Sequence, residues 1–197
     1  MYERSKKLPR EIAVRLKDFR PHYEALTVAL QQTTAEEFLA AANERTPDEL
    51  NKRVYPIERS FEILCNYIAE LNELGLQVAG VTPGATRRAN LRLLAKESVI
   101  SVALERTLAA VLSARNDLAH EYPDVRATGI YGAAEDLTVA APEYAAAHVA
   151  WMRRLGFAGD VSPAVNDLDD DLAKPLPLPP GQEAPSAVLA RLRRDER

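Results

Sequence analysis

One cysteine in 197 residues, Cys65, leaves no partner for an internal disulfide and too few thiolates for a metal site. It falls inside an apolar helical pattern and reads as a small buried hydrophobe. Histidine is nearly as scarce. His22, His120 and His148 are scattered without any metal-ligand spacing, so no zinc site and no other cofactor is expected. Aromatic residues make up only 6% of the chain against a wealth of alanine and leucine, which favours helix over strand. No apolar run is long enough to cross a bilayer, and Met1–Arg10 is charged and polar where a secretory leader would be apolar. The expectation is a soluble, cytoplasmic protein with no membrane partner. Gly-rich phosphate loops and serine-nucleophile motifs are also missing. A formal net charge of -4 supplies no global basic field, so any contact with nucleic acid must use a local patch or a cleft between chains.

What is present is helical punctuation. A first helix is expected from about Pro9, with Pro21 breaking or kinking it before His22 to Leu26. His22 would then be a helix-start residue without a partner. Thr34-Ala35-Glu36-Glu37 is a capping-box pattern, followed by Phe38, Leu39 and Ala42 on one side. Thr46-Pro47-Asp48-Glu49 is a second start, which Pro56 would divide again. Ile57, Phe61, Leu64, Ile68, Leu71 and Leu74 recur at spacings of four and three, with Gly75 as the expected stop. Glu62, Asn66, Glu70 and Glu73 mark the opposite, polar face. A short helix is expected over Ala89 to Glu97. Ser101 then caps another whose stripe is Leu104, Leu108, Val111 and Leu112. The last helix is expected to begin near Pro142, with Tyr144, His148, Trp151 and Leu155 in line and His148 a core or interface residue.

Beyond Phe157 the pattern collapses. Six of the thirteen prolines lie there, beside the acidic Asp167 to Asp171. The expected organisation is a helical extension over 1–33, a helical bundle over 34–157, and a Pro-rich acidic tail over 158–197 that is disordered on composition. The basic end, Ala187 to Arg197, is either a solvated tail or a helix formed on a partner. No segment alternates with period two, so the fold class is all-α, a single bundle.

Chemistry concentrates in one place. The stripe that ends at Leu112 continues onto Arg115, Leu118 and Tyr122, which puts a cation on a packed seam where an unpaired charge is costly. Asn116 and His120, four apart, share a helix face, whereas Arg115 and His120, five apart, are about 140° apart around an ideal helix. Tyr122-Pro123 implies a helix end close to His120. Two copies of this segment across a symmetric dimer would supply two arginines and two histidines to one cleft. That set is sufficient for RNA cleavage without a metal: histidine moves protons, and arginine holds phosphate and offsets developing charge. The spacing alone is weak, since a helix-end arginine is usually a solvated cap or a surface ion pair. Arg87, Arg88, Arg92 and Lys96 form the best local basic cluster, either an RNA path or a solvated helix face.

The run Arg115-Asn116-Asp117-Leu118-Ala119-His120-Glu121-Tyr122 resembles the Arg-x4-His-x-Tyr signature of HepT-like HEPN proteins. Leu91–Ile100 is similar to the segment before the motif helix in that family, Ile57–Leu64 to its long second helix, and Asp124-Val125 also fits. The resemblance covers roughly Thr34 to Leu155. Arg126 departs from it where an acid is common, and the first thirty or so residues and the tail are extra to it. The resemblance implies an antiparallel HEPN helical bundle, a homodimer with a composite active site, and a metal-independent endoribonuclease toxin acting on RNA. It further implies a cognate minimal nucleotidyltransferase antitoxin that transfers AMP to the motif tyrosine. Residue by residue, Arg115 and His120 would be catalytic, Asn116 would assist or orient them, and Tyr122 would be the modified residue. Two other classes of function stay open. One is a non-enzymatic helical module that binds a nucleotidyltransferase or a nucleotide. The other is a purely structural dimer in which Arg115 pairs with a carboxylate such as Asp117 or Glu121 of the facing chain.

Overall fold

The computed structural model of the chain describes residues 2–117 and 123–157, and all regular structure among them is helical. In chain order these are α1 (Tyr2–Gln32), α2 (Ala35–Glu44), the single turn α3 (Pro47–Glu49), a π-helical turn (Leu50–Val54), α4 (Tyr55–Val78), α5 (Arg87–Lys96), α6 (Val102–Asp117) and α7 (Pro123–Arg154). The tail over 158–197 lies outside the described residues.

Helix α1 starts earlier than expected and runs through both Pro9 and Pro21. Pro21 and Lys17, whose carbonyl loses its amide partner, are both exposed, so water can take that carbonyl. On the other face Ile12, Leu16, Phe19, Tyr23 and Leu26 are buried and keep the helix in place. Burial of such side chains contributes about 1.5–3 kcal/mol each, enough to outweigh one lost hydrogen bond. Arg15 pairs with Glu70 at 3.1 Å, Phe19 and His22 both set their rings against Tyr67, and Lys7 and Arg10 share a groove with Glu73 and Gln77. Positions rise along α1 as they fall along α4, so the two are antiparallel. His22 is therefore a mid-helix residue with an aromatic neighbour, not a helix start.

The two caps read from sequence are formed. Thr34 accepts from the Glu37 amide while the Glu37 carboxylate accepts from the Thr34 amide at 2.9 Å, and Thr46 caps α3 with Pro47 in the first turn. Pro56 does not divide the chain: the π-helical turn before it carries the helix directly into α4. Arg53, in that turn, reaches Glu37 at 2.7 Å and Glu49 at 2.8 Å and so ties α2 to α3.

Helix α4 lies at the centre, touching α1, α5, α6 and α7. It does not stop at Gly75. A Cβ there would lie 3.2 Å from Leu94 Cδ2 of α5 and 3.5 Å from His148 Nε2 of α7, so the missing side chain is what lets three helices meet. The helix ends instead at Val78, and Gly80 just beyond the cap has a φ of 74° that suits glycine. There the Val81 amide donates to the Leu76 carbonyl and the Gly80 amide to that of Gln77, a Schellman closure.

Helix α7 begins at Pro123, well before Pro142, which lies inside it. Its first half hides its period because small residues carry it: Ala127, Ala134 and Ala141 are buried together with Ile130, Tyr131 and Leu137. Leu155, expected on the buried line, lies just past the helix end and is 46% exposed. Tyr144 and His148 are fully buried, as is Asn72 of α4. The Tyr144 hydroxyl lies 2.8 Å from Asn72 Oδ1 and 3.2 Å from the Ile68 carbonyl. Since 68 and 72 meet 144 while 75 meets 148, α4 and α7 run in the same direction.

His148 Nδ1 sits 3.1 Å from the Tyr144 carbonyl and Nε2 has no partner among the described residues. Burial lowers its pKa to about 4, so it is neutral near pH 7. Below its unfolded value of 6.5 the unfolded chain takes up a proton that the folded chain refuses. Stability is therefore expected to fall as pH drops from 6.5 towards 4, by about 3 kcal/mol across the window from this residue. Urea unfolding at a series of pH values should show the slope, and His148→Leu should flatten it. An unchanged slope in that variant would assign the acid sensitivity elsewhere.

Candidate functional site

Helix α6 carries the motif arginine into position by simple periodicity. Ser101 accepts from the Leu104 amide at 3.0 Å, and Leu104, Leu108, Val111 and Leu112 are buried in one row. Arg115 is next in that row and only 24% exposed. Its charge is met within the chain: Nη2 lies 3.2 Å from Glu62 Oε1 on α4. Arg115 thus has a carboxylate within its own protomer, apart from any that a facing chain would bring. The pair is partly solvated, with Glu62 43% exposed, so the ion pair itself contributes at most about 1 kcal/mol.

Glu62 was read as part of the solvent face of α4, and the structure gives it a different place. The buried band Phe61, Leu64, Cys65 and Ile68 is wide, so Glu62 and Asn66 border it, at the seam with the neighbouring helices. Asn66, one turn on from Glu62, accepts a hydrogen bond from Arg87 Nη2 at 3.1 Å. Arg87 Nη1 is buried and has no partner among the described residues. Cys65 is buried in the same stretch of α4. Burial pushes its thiol up to about 12, and both Arg87 and Arg115 pull in the opposite direction, so both guanidinium groups lie within electrostatic reach of one sulfur. The thiol is accordingly inert, and the two cations stand side by side along one edge of α4. Successive anchors one turn apart on a helix are separated by about 6 Å. The signal for Glu62 and Asn66 was available as a polar pair at i and i+4 flanking a wide apolar band, but its use depends on which helix packs there.

The basic cluster read from sequence splits. Arg87 turns inwards to α4, whereas Arg88, Arg92 and Lys96, spaced by four, line the exposed side of α5. Arg92 Nε lies 3.9 Å from Glu105 of α6. Asn116 occupies the last turn of α6, but its side chain lies outside the described residues, as do His120 and Tyr122. No described helix is long and apolar enough to cross a membrane.

The described residues form an all-helical bundle with a half-buried arginine at the end of one helix, set against a carboxylate of the central helix, an architecture consistent with a HEPN-type bundle. The family model described as Ribonuclease HepT-like matches residues 13–145, about two thirds of the chain. The chain therefore belongs to the HepT-like ribonuclease family. The match begins within α1, whose buried face joins the same core as the other helices, and ends within α7. Neither a comparison with curated proteins nor one with solved structures yields a match.

Proposed function

We propose that the chain is an endoribonuclease toxin that cleaves RNA at a cleft formed by two copies of the Arg115–His120 segment. The observation that carries this reading is Arg115 itself, a cation held half-buried at the end of α6 in a bundle of the HepT-like ribonuclease family. In the proposed reaction one His120 takes the proton of a 2′-hydroxyl, and that oxygen attacks the adjacent phosphorus. The bond from phosphorus to the 5′-oxygen breaks, and the partner's His120 protonates the leaving oxygen. Arg115 holds the phosphate and offsets the charge that grows on it in the transition state. Asn116, beside Arg115 in sequence and four residues before His120, orients one or both. The products are a 2′,3′-cyclic phosphate and a 5′-hydroxyl end, and no step calls on a metal ion.

Restraint of such an enzyme fits a nucleotidyltransferase antitoxin. Transfer of AMP from ATP to the Tyr122 hydroxyl, with release of pyrophosphate, would place a bulky anion two residues from His120. Both size and charge would then oppose entry of RNA.

The purified chain incubated with single-stranded RNA and excess EDTA is expected to produce fragments with 2′,3′-cyclic phosphate ends. Intact RNA, from soluble and folded protein, would refute the ribonuclease reading. In a separate reaction without EDTA, a nucleotidyltransferase encoded beside it should transfer labelled AMP from ATP to the wild type and not to Tyr122→Phe. Equal labelling of the two would refute the assignment of Tyr122.

A further inference from the structure

Arg87 breaks three local rules at once. Elsewhere in the bundle a partly buried arginine meets a carboxylate: Arg53 has Glu37 and Glu49, and Arg115 has Glu62. Arg87 is half-buried yet its partner among the described residues is the neutral Asn66 amide, and its Nη1 is buried without any. A buried guanidinium nitrogen left unpaired is costly. Second, Arg87 opens α5, with Arg88 behind it and no acidic residue in the first turn. Cations there oppose the positive end of the helix dipole, so the placement lowers local stability. Third, Arg87 is anchored one turn of α4 away from Arg115, and Glu62, the carboxylate at this edge, pairs with Arg115 and not, among the described residues, with Arg87. The described residues thus leave an excess positive charge at this edge, in a protein whose formal net charge is -4. Departures from local preference that converge on one spot are characteristic of a binding site.

We propose that Arg87 is a phosphate-binding residue that holds the strand phosphate next to the one gripped by Arg115. The inference rests on the ribonuclease reading for the identity of the ligand, a single RNA strand, and adds to it a second subsite. Asn66 fixes one arm of the Arg87 fork and Glu62 one arm of the Arg115 fork, and these anchors are a helical turn apart. The free arms therefore occupy separate positions along α4 and suit two successive phosphates better than one. The unpaired Nη1 gains its acceptor only when the strand is bound. It follows that the site engages a strand with more than the scissile phosphate, and that a dinucleotide leaves the Arg87 position empty.

The test uses the whole chain and a single-stranded oligonucleotide with 2′-O-methyl riboses, which binds but offers no attacking hydroxyl. Binding is measured by fluorescence anisotropy over a range of salt for wild type, Arg87→Gln and Arg87→Lys, with thermal melting to verify folding. Each phosphate contact with a single strand contributes about 0.7 to the slope of log affinity against log salt. Arg87→Gln is expected to reduce the slope by that amount and to weaken binding roughly tenfold. Arg87→Lys, which keeps the charge, should restore the slope. A folded Arg87→Gln variant with an unchanged slope overturns the proposal, as does a wild type that binds no oligonucleotide. Cleavable substrates then locate the subsite: Arg87→Gln should slow cleavage of a longer strand but not of a dinucleoside monophosphate, and equal loss on both would refute the second-phosphate assignment. A wild type that binds but cleaves neither substrate refutes the ribonuclease reading, while the salt slope still decides the role of Arg87.

Discussion

Arg115→Ala and His120→Ala are each expected to lower kcat for RNA cleavage by about 10²–10³-fold, with little change in thermal stability. For Arg115 the expectation follows from its surroundings. Loss of a preorganised cation where charge develops on phosphate removes several kcal/mol of transition-state stabilisation, about 3–4 by analogy with oxyanion sites. Loss of the same cation costs the folded state far less, because Glu62 is 43% exposed and water can solvate it once the arginine is gone. A purely structural arginine gives the reverse pattern: a lower melting temperature and no activity to lose. Single-turnover cleavage and a melting curve on the same preparation separate the two. A large drop in stability with residual activity unchanged would move Arg115 from the chemistry to the scaffold. For His120 the expected signature also includes loss of the limb of the pH–rate profile that reports a histidine.

Gly75→Val is expected to lower stability by about 1–3 kcal/mol, the usual range for overpacking a tight interior. For a domain of this size that is a fall of about 2–12 °C in melting temperature. The first added carbon already meets Leu94 Cδ2 at 3.2 Å, and the branched carbons beyond it must displace Leu94 or His148. Gly75→Ala is the informative companion. Its single methyl group asks Leu94 for a small shift, while alanine favours the helix over glycine by about 1 kcal/mol, so the two effects nearly cancel. If Gly75 were instead an unpacked helix stop, valine and alanine would behave alike. Because α5 carries Arg87 and α4 carries Asn66 and Glu62, a forced separation at Gly75 is also felt at the site.

Much of the fold was legible where one rule dominates. The capping box at Thr34, the Thr46-Pro47 start, the Ser101 cap and the stripe from Leu104 to Leu112 rest on local chemistry and stand as read, and the stripe from Ile57 to Leu74 is buried as far as Leu71, with Leu74 partly buried at its edge. Where the reading failed, tertiary packing had overridden a local preference. Pro21 and Pro142 were taken as boundaries because proline removes an amide, yet both are carried within long helices whose other faces are buried. Gly75 looked like a terminator because propensity cannot see that a neighbouring helix needs the space. The first half of α7 was missed because alanine and glycine give a faint period. At the site, Arg115 stood out because a charge interrupts an apolar stripe. Glu62 and Asn66 did not, since a polar residue on a helix face is ordinary until a second helix arrives beside it. The separation of Arg87 from Arg88, Arg92 and Lys96 follows the same logic: a spacing of four puts the last three in one exposed row, and packing shows that Arg87, one position before it, turns inwards.

The antiparallel pairing of α1 with α4 has a consequence for synthesis on the ribosome. Helix α1 is complete at Gln32, but α4, its main partner, which covers much of the face of Ile12, Leu16, Phe19 and Leu26, is complete only when Val78 has been added. At elongation rates of about 5–20 residues per second, the nascent chain carries that apolar face uncovered for roughly 2–9 s. By contrast Glu62 and Asn66 are made before Arg87 and Arg115, so the cationic edge forms on a partner helix already in place. The N-terminal helix is thus the first apolar surface to wait for a partner, and that helix is where a chaperone would find the chain first.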